Sequence, residues 1–315
     1  MSLVFMFPGQ GSQAVGMGAE LADAFAEARE VFEEVDEALG QRLSRLMRDG
    51  PIEELTLTEN AQPALMAVSL AAMRVLDRQF GVQVTRAAFV AGHSLGEYSA
   101  LAAAGAIGLS DTARLLRRRG AAMQRAAPVG LGAMASLIGP KADIALAEAA
   151  ARAGSAAGVC VVANDNNAGN VVISGEKAAV DLAIAEAKTL GARAILLNVS
   201  APFHCPLMAP AAEEMAEALA EVAIVAPRTP LVANVTARPV HEPEAIRRLL
   251  VEQVTGRVRW RESIEWLTGE GGADRFAEVG TGKVLAGIVK RIAPDAAAES
   301  LNAPADLEAF AASLR

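Results

Sequence analysis

The chain has 315 residues, enough to bury a large core either as one big domain with an insertion or as two domains. Hydrophobic residues make up 52% and aromatics only 4%, which speaks against a stacking platform for nucleic acid, and a formal net charge of -8 argues against DNA or RNA as a general partner. Two cysteines, Cys160 and Cys205, lack C-x-x-C spacing, so neither a disulfide framework nor a zinc site is supported, and no apolar run reaches the roughly 18 uncharged residues of a membrane span.

In chain order, the N-terminal Met-Ser-Leu-Val-Phe-Met-Phe-Pro lacks a cationic leader and a cleavage-like site, so it is expected to be a first strand in a soluble, cytoplasmic protein. Strand Leu3 to Phe7 feeds the glycine-rich loop Pro8-Gly9-Gln10-Gly11-Ser12-Gln13, and helical periodicity runs from Ala19 to Leu39. The loop lacks the Gly-Lys-Ser/Thr ending of a phosphate loop and the full G-x-G-x-x-G fingerprint. It is either a tight turn that glycine permits or a set of backbone N–H groups presented to a site beside the strand ends. A second reactive-looking loop after a strand favours the site.

That second loop is Gly92-His93-Ser94-Leu95-Gly96, between the short apolar strand Ala87-Ala88-Phe89-Val90-Ala91 and an alanine-rich helix starting at Glu97 and running to Ala104. G-x-S-x-G in a strand-to-helix context is a nucleophile elbow, where small neighbours allow a sharp turn that thrusts the Ser94 hydroxyl outward.

Between Pro128 and Asn198 the pattern changes to strand Met134 to Ile138, helix Lys141 to Arg152, strands Gly158 to Ala163 and Asn170 to Ser174, helix Ala178 to Leu190 and strand Arg193 to Asn198. The order β-α-β-β-α-β is that of a ferredoxin-like unit. Its middle strands are expected to be joined by the turn-rich cluster Asn164-Asp165-Asn166-Asn167-Ala168-Gly169. Residues 129–197 are thus assigned to a small inserted subdomain, and residues 1–128 with 198–315 to a large α/β subdomain, with the cleft between them as the default ligand site. After the insertion come helix Ala209 to Val222, strand Pro230 to Val235, helix Ala245 to Gln253, a last apolar strand Phe276 to Val279, the turn Gly280-Thr281-Gly282-Lys283 and helix Val284 to Ile292.

A serine hydroxyl needs a base during attack, and the chain has three histidines. His93 adjoins Ser94 on a sharp elbow and projects elsewhere, as a structural or rim residue. His241 lies in the polar, proline-bounded loop Arg238 to Pro243 and is expected at the surface. His204, in the apolar, proline-constrained stretch Ala201-Pro202-Phe203-His204-Cys205-Pro206, would ordinarily be a satisfied core histidine, but elimination of the other two leaves it as the base. Cys205 reads as a buried thiol rather than a rival nucleophile. The acids between Ser94 and His204, such as Asp143 and Asp181, fall on surfaces of the insertion, so the group that orients the histidine need not be a carboxylate.

The motifs, taken together, make the chain resemble the family of malonyl-CoA:acyl carrier protein transacylases and the related acyltransferase domains of polyketide and fatty-acid synthases. The resemblance runs nearly end to end, through Phe7 to Gln13, Asn60-Ala61-Gln62-Pro63-Ala64, Gly92 to Tyr98, Arg119-Gly120 with Met123-Gln124, Phe203-His204 and Glu278-Val279-Gly280. It implies an α/β-hydrolase-like core with a parallel sheet plus an inserted ferredoxin-like subdomain. It also implies that Ser94 carries the malonyl group as an ester, with His204 as base and acid, and that a loop carbonyl matching Gln253 orients His204. The backbone N–H groups of Gln10 and Leu95 would form the oxyanion hole. Arg119 would bind the malonyl carboxylate, although as one of Arg117-Arg118-Arg119 it reads, on sequence alone, as another solvated charge. Phe203 and Gln62 are assigned to the substrate pocket, Phe203 disfavouring a 2-methyl branch. The Ala-Pro before Phe203 and the Cys-Pro after His204 depart from commoner spellings of that motif.

The implied partners are malonyl-CoA and acyl carrier protein, with no nucleic acid, no membrane and no metal or redox cofactor. Because carrier proteins of this type are acidic and so is this chain, docking needs a local basic surface, for which Arg117, Arg118, Lys283, Lys290 and Arg291 are the expected contributors. Rival readings are a serine esterase or thioesterase, and a specialised subunit such as a malonate-decarboxylase component or a stand-alone polyketide acyltransferase.

Overall fold

Among the described residues the chain forms ten strands: β1 Leu3–Phe7, β2 Phe89–Gly92, β3 Gly132–Ile138, β4 Cys160–Asn167, β5 Asn170–Glu176, β6 Arg193–Leu196, β7 Leu231–Ala233, β8 Arg238–Val240, β9 Arg275–Val279 and β10 Ala297–Leu301. These come from a computed structural model that describes residues 2–128, 130–199 and 201–315. Six strands form one sheet in the order β10-β9-β1-β2-β7-β8. Every pair in it is parallel except the antiparallel β7-β8 edge. Strands β1 and β9 are buried throughout: β1 is continuously apolar, as a strand covered on both faces is, whereas β9 also buries Arg275, which donates to Glu299, and Glu278, which accepts from Ala286 N. Helices Thr58–Phe80, Gly96–Ala103 and Leu109–Ala126 cover one face with the larger core. Trp260, Ile264 and Val289, from helices Trp260–Thr268 and Val284–Ile292, pack on the other.

The second sheet, in the order β4-β5-β3-β6, is antiparallel throughout. Helices Ile144–Gly154 and Lys177–Thr189 bury its outer face in a core of its own. On the inner face Met134, Ala163 and Val172 meet Phe203. This is the α/β-hydrolase-like core with a ferredoxin-like β-α-β-β-α-β unit that the sequence leads one to expect. The two sheets are joined through β4: Asp165 N donates to Val258 O at 2.9 Å, Val258 N donates to Ala163 O at 2.8 Å, and the buried Asp165 carboxylate accepts from Arg261 Nη2 at 2.8 Å. Among the described residues no helix is long and apolar enough to cross a membrane.

Four local expectations need correction. The helix expected from Ala19 to Leu39 is two, Ala19–Ala24 and Ala26–Leu39, because Phe25 is extended (φ -128°, ψ 131°) and turns its ring edge-on to Phe80. The Asn164–Gly169 cluster is mostly strand: β4 continues through two irregularities to Asn167, which buries Asn164, Asp165 and Asn167 and leaves the turn to Ala168 and Gly169. The supposed loop at Arg238 is the edge strand β8, and β9 is not the last strand, since β10 pairs with it.

The strand-to-helix bend depends on two glycines. A Cβ on Gly92 would sit 2.0 Å from the Gly96 carbonyl carbon and oxygen, and a Cβ on Gly96 would sit 2.2 Å from Phe7 O. The backbone of the bend touches itself and β1, so any side chain must push main chain apart. Gly92→Ala is expected to cost about 3 kcal/mol or to prevent folding. Gly287→Ala, on a helix with nothing near the added carbon, should stabilise by up to about 1 kcal/mol. Denaturant unfolding of the two variants checks the contrast, and equal effects would contradict it.

Candidate active site

Ser94 occupies the bend between β2 and helix Gly96–Ala103 with a left-handed backbone (φ 53°). Asn234, just beyond β7, holds that strained turn from both sides: its Oδ1 accepts from Ser94 N at 2.8 Å and its Nδ2 donates to Gly92 O at 2.7 Å. The Ser94 hydroxyl lies 2.8 Å from His204 Nε2. His204 also has a positive φ of 56°, in the loop that returns from the small sheet to the large one between Pro202 and Pro206.

Behind the imidazole there is no carboxylate. His204 Nδ1 faces Gln253 O at 2.9 Å and Gly256 O at 3.1 Å, where helix Pro243–Thr255 ends. The last carbonyls of a helix lack an intrahelical partner, which frees Gln253 O for this task. Two acceptors at Nδ1 require the proton there, so Nε2 is left to accept from the serine. Burial, and after it the Arg119 charge, push the His204 pKa down to about 3, so the ring is neutral at physiological pH.

Arg119 is 1% exposed. Its Nη1 donates to Gln62 Oε1 at 2.9 Å, its Nη2 donates to Gln253 Oε1 at 2.8 Å and to Ser94 Oγ at 3.1 Å, and its guanidinium lies 5.7 Å from the Tyr98 ring centroid. Successive helical residues point about 100° apart, so its neighbours lead elsewhere: Arg117 donates to Glu59 O and Gln41, and Arg118 to Glu214. Gly120 explains the approach, because its missing Cβ would lie 2.6 Å from Glu59 Cα and Thr58 O. Helices Thr58–Phe80 and Leu109–Ala126 cross there, which brings Gln62 against Arg119. Burial lowers the guanidinium pKa, opposed by Tyr98 and Glu97.

Sequence reasoning assigned no role to Asn234 or Glu97. Glu97, 1% exposed, accepts through Oε2 from Gln253 Nε2 at 2.7 Å and from Asn234 N at 3.3 Å. Burial pushes its carboxyl up to about 7, against those hydrogen bonds and the Arg119 charge. A carboxylate in the first turn of an otherwise apolar, alanine-rich helix was the available signal for it; Asn234 carries none.

A cavity of about 330 Å³ opens over these groups, lined by Gln10, Gln62, Ser94, Leu95, Phe203 and His204 among others. Gln10 and His93 also border a second cavity of about 340 Å³ that reaches Val284 and Ile288. His93 Nε2 pairs with Asn166 Oδ1 at 2.9 Å, away from the serine, and His241 is exposed. Cys205 is buried, its Sγ donating to Pro202 O at 3.0 Å, and burial raises its thiol pKa. Asp143 caps helix Ile144–Gly154 by accepting from Leu146 N, and Asp181 pairs with Lys177, so neither serves the histidine. Lys283, at the start of helix Val284–Ile292, and Lys290 and Arg291, in its last turn, are exposed. Among the described residues no group of three or more His, Cys, Asp or Glu is placed to hold a metal.

This arrangement provides a serine hydroxyl in contact with a neutral imidazole, a cation beside that hydroxyl and a cavity above both. The model of the acyl transferase domain family matches residues 4–301. The chain is 45% identical over 306 residues to the malonyl CoA-acyl carrier protein transacylase of Escherichia coli K12, covering 97% of each. A solved acyl-carrier-protein S-malonyltransferase from Bartonella henselae superposes with a TM-score of 0.96 at 53% identity, covering 100% of this chain and 99% of that one. A malonyl-transacylase solved in complex with its type II polyketide acyl-carrier protein superposes with a TM-score of 0.95 at 41% identity, covering 99% and 100%.

Two buried groups should leave opposite marks on stability. The folded His204 pKa of about 3 lies below the ordinary 6.5, so its contribution is present above 6.5 and lost as pH falls toward 3. The folded Glu97 pKa of about 7 lies above 4.5, so its contribution is present below 4.5 and lost as pH rises through 7. Thermal unfolding from pH 5 to 8.5 should therefore shift in favour of Glu97→Gln relative to the parent as pH rises, and in favour of His204→Gln as pH falls below 6.5. Gaps that stay constant with pH would contradict both shifts.

Proposed function

This chain belongs to the acyl transferase domain family, and from that premise we propose that it moves a malonyl group from malonyl-CoA to the phosphopantetheine thiol of an acyl carrier protein, in fatty-acid synthesis, through an ester on Ser94. The observation that carries the proposal is the buried Arg119 guanidinium 3.1 Å from Ser94 Oγ. A cation buried beside a nucleophile is costly unless an anion is to be received there, and a planar fork matches a carboxylate. An esterase acting on neutral acyl groups has no use for it.

In the proposed sequence Ser94 Oγ attacks the thioester carbonyl carbon while His204 Nε2 takes the hydroxyl proton. The carbonyl π electrons move to oxygen, which the N–H groups of Gln10 and Leu95 hold. Collapse of this intermediate breaks the C–S bond, and His204 returns the proton to the departing CoA thiolate. The carrier-protein thiol then gives its proton to His204 and attacks the ester, and Ser94 leaves with that proton restored. The proton stays on Nδ1, which donates to Gln253 O and Gly256 O throughout, so those carbonyls do for the imidazole what an acid does in ordinary triads, without adding a charge beside Arg119. Gln62 holds the arginine, and the Phe203 ring borders the acyl pocket and disfavours a 2-methyl branch.

The same reading treats residues 129–197 as a subdomain inserted into the large one, supported by the separate cores of the two sheets. It sets the reaction in the cytoplasm and uses no metal or redox cofactor. Of the basic residues, the exposed Lys283, Lys290 and Arg291 are better placed for an acidic carrier protein than Arg117 and Arg118, whose partners occupy them.

Intact-mass measurement after exposure to malonyl-CoA, with Ser94→Ala as control, should give one malonyl adduct on the parent and none on the variant, and added carrier protein should discharge it. Prompt release of free malonate with no label on the carrier protein would favour the hydrolase instead. Arg119→Ala should lower malonyl transfer by about 2 kcal/mol or more while leaving acetyl transfer intact or faster. Equal losses for the two acyl groups would remove Arg119 as the selector.

A further inference from the structure

We propose that Glu97 is a positioning residue for both the arginine and the base: its carboxylate fixes which end of the Gln253 amide faces Arg119. The inference rests on the role given to Arg119 and His204 above. A glutamine amide has a donor end and an acceptor end of nearly equal size, and only its partners choose between them. Gln253 is fully buried. Its Nε2 donates to Ser94 O at 2.9 Å, a main-chain carbonyl that can only accept, and at 2.7 Å to Glu97 Oε2, the carboxyl oxygen that also accepts from Asn234 N. Oε1 is thereby turned to Arg119 Nη2 at 2.8 Å. With the amide reversed, NH₂ would face a guanidinium that can only donate, and Arg119 would lose one of the two side-chain acceptors that hold it over Ser94.

The same Glu97 oxygen accepts from Asn234 N at 3.3 Å, and the Asn234 side chain brackets the serine bend. Gln253 also supplies the carbonyl at His204 Nδ1. One buried oxygen therefore ties together the elbow, the end of the base-orienting helix and the arginine. What this requires of residue 97 is reach and an acceptor. A role confined to balancing the Arg119 charge would require the negative charge and tolerate a shorter side chain.

Glu97→Gln and Glu97→Asp separate the two requirements. Glutamine keeps the length and one acceptor oxygen but loses the charge; aspartate keeps the charge but withdraws the oxygen by one methylene. Single-turnover loading of Ser94 by malonyl-CoA should fall about threefold to fivefold in Glu97→Gln and at least thirtyfold in Glu97→Asp, with both variants folded by circular dichroism. In a Gln253→Met background the two Glu97 variants should differ by less than twofold, because the amide they act through is gone. The reverse order, parent rates in both variants, or losses that add to that of Gln253→Met would each overturn the proposal. Labelling of Ser94 by phenylmethylsulfonyl fluoride runs alongside as a probe without a carboxylate and should show the same order. If the parent labels but takes no malonyl group, the functional reading fails, while the labelling rates still decide the role of Glu97.

Discussion

The hydrogen bonds of Gln253 set the chemistry of this site. Its main-chain oxygen holds His204 Nδ1, its Nε2 donates to Ser94 O and Glu97, and its Oε1 receives Arg119. A neutral carbonyl in place of a carboxylate fixes the tautomer of the imidazole without raising its pKa as an anion would. Arg119 makes that choice coherent. An acid behind His204 would compete for the Arg119 guanidinium, which the proposed function assigns to the malonyl carboxylate, whereas a carbonyl leaves the cation free.

The surrounding fold holds Ser94, Arg119, His204 and Gln253 at hydrogen-bond distance although they are far apart in sequence. Ser94 and His204 are separated by 110 positions. Close backbone approach does much of this: Gly92 and Gly96 let the elbow fold against β1, and Gly120 lets two helices touch so that Gln62 reaches Arg119. The remaining member of the site arrives with the small sheet, whose return loop delivers His204. Its β4 is pinned to the 257–261 segment by the pair of buried Asp165 with half-buried Arg261 and by two main-chain bonds. Removing Arg261 would leave the Asp165 carboxylate buried without its cation, a costly loss.

Much of this was legible in the residues. Apolar runs located β1 and β9 nearly to the residue and β2 to within two, and the serine stood out because glycine and strand-to-helix context coincide around it. Elimination among three histidines reached His204. Periodicity failed where side chains contradict their surroundings. Asn164 to Asn167 read as turn because polar residues favour local hydrogen bonds, yet here they form a strand in which Asp165 meets Arg261 and Asn166 meets His93. Arg119 was hidden in a run of three arginines and only the family resemblance singled it out, since charge alone does not show which helical face is buried. Asn234 and Glu97 escaped for a related reason: their importance lies in partners more than a hundred positions away, which no local pattern encodes.

The central claim is that His204 is neutral, with its proton on Nδ1 and Nε2 open toward Ser94. Ring-nitrogen NMR of uniformly ¹⁵N-labelled protein tests it directly, because the chain has only three histidines and His→Gln variants assign each. The account requires that His204 show a protonated Nδ1 and an unprotonated Nε2 unchanged from pH 8 down to pH 5. An Nε2–H tautomer, or conversion to imidazolium near the ordinary histidine midpoint, would contradict it.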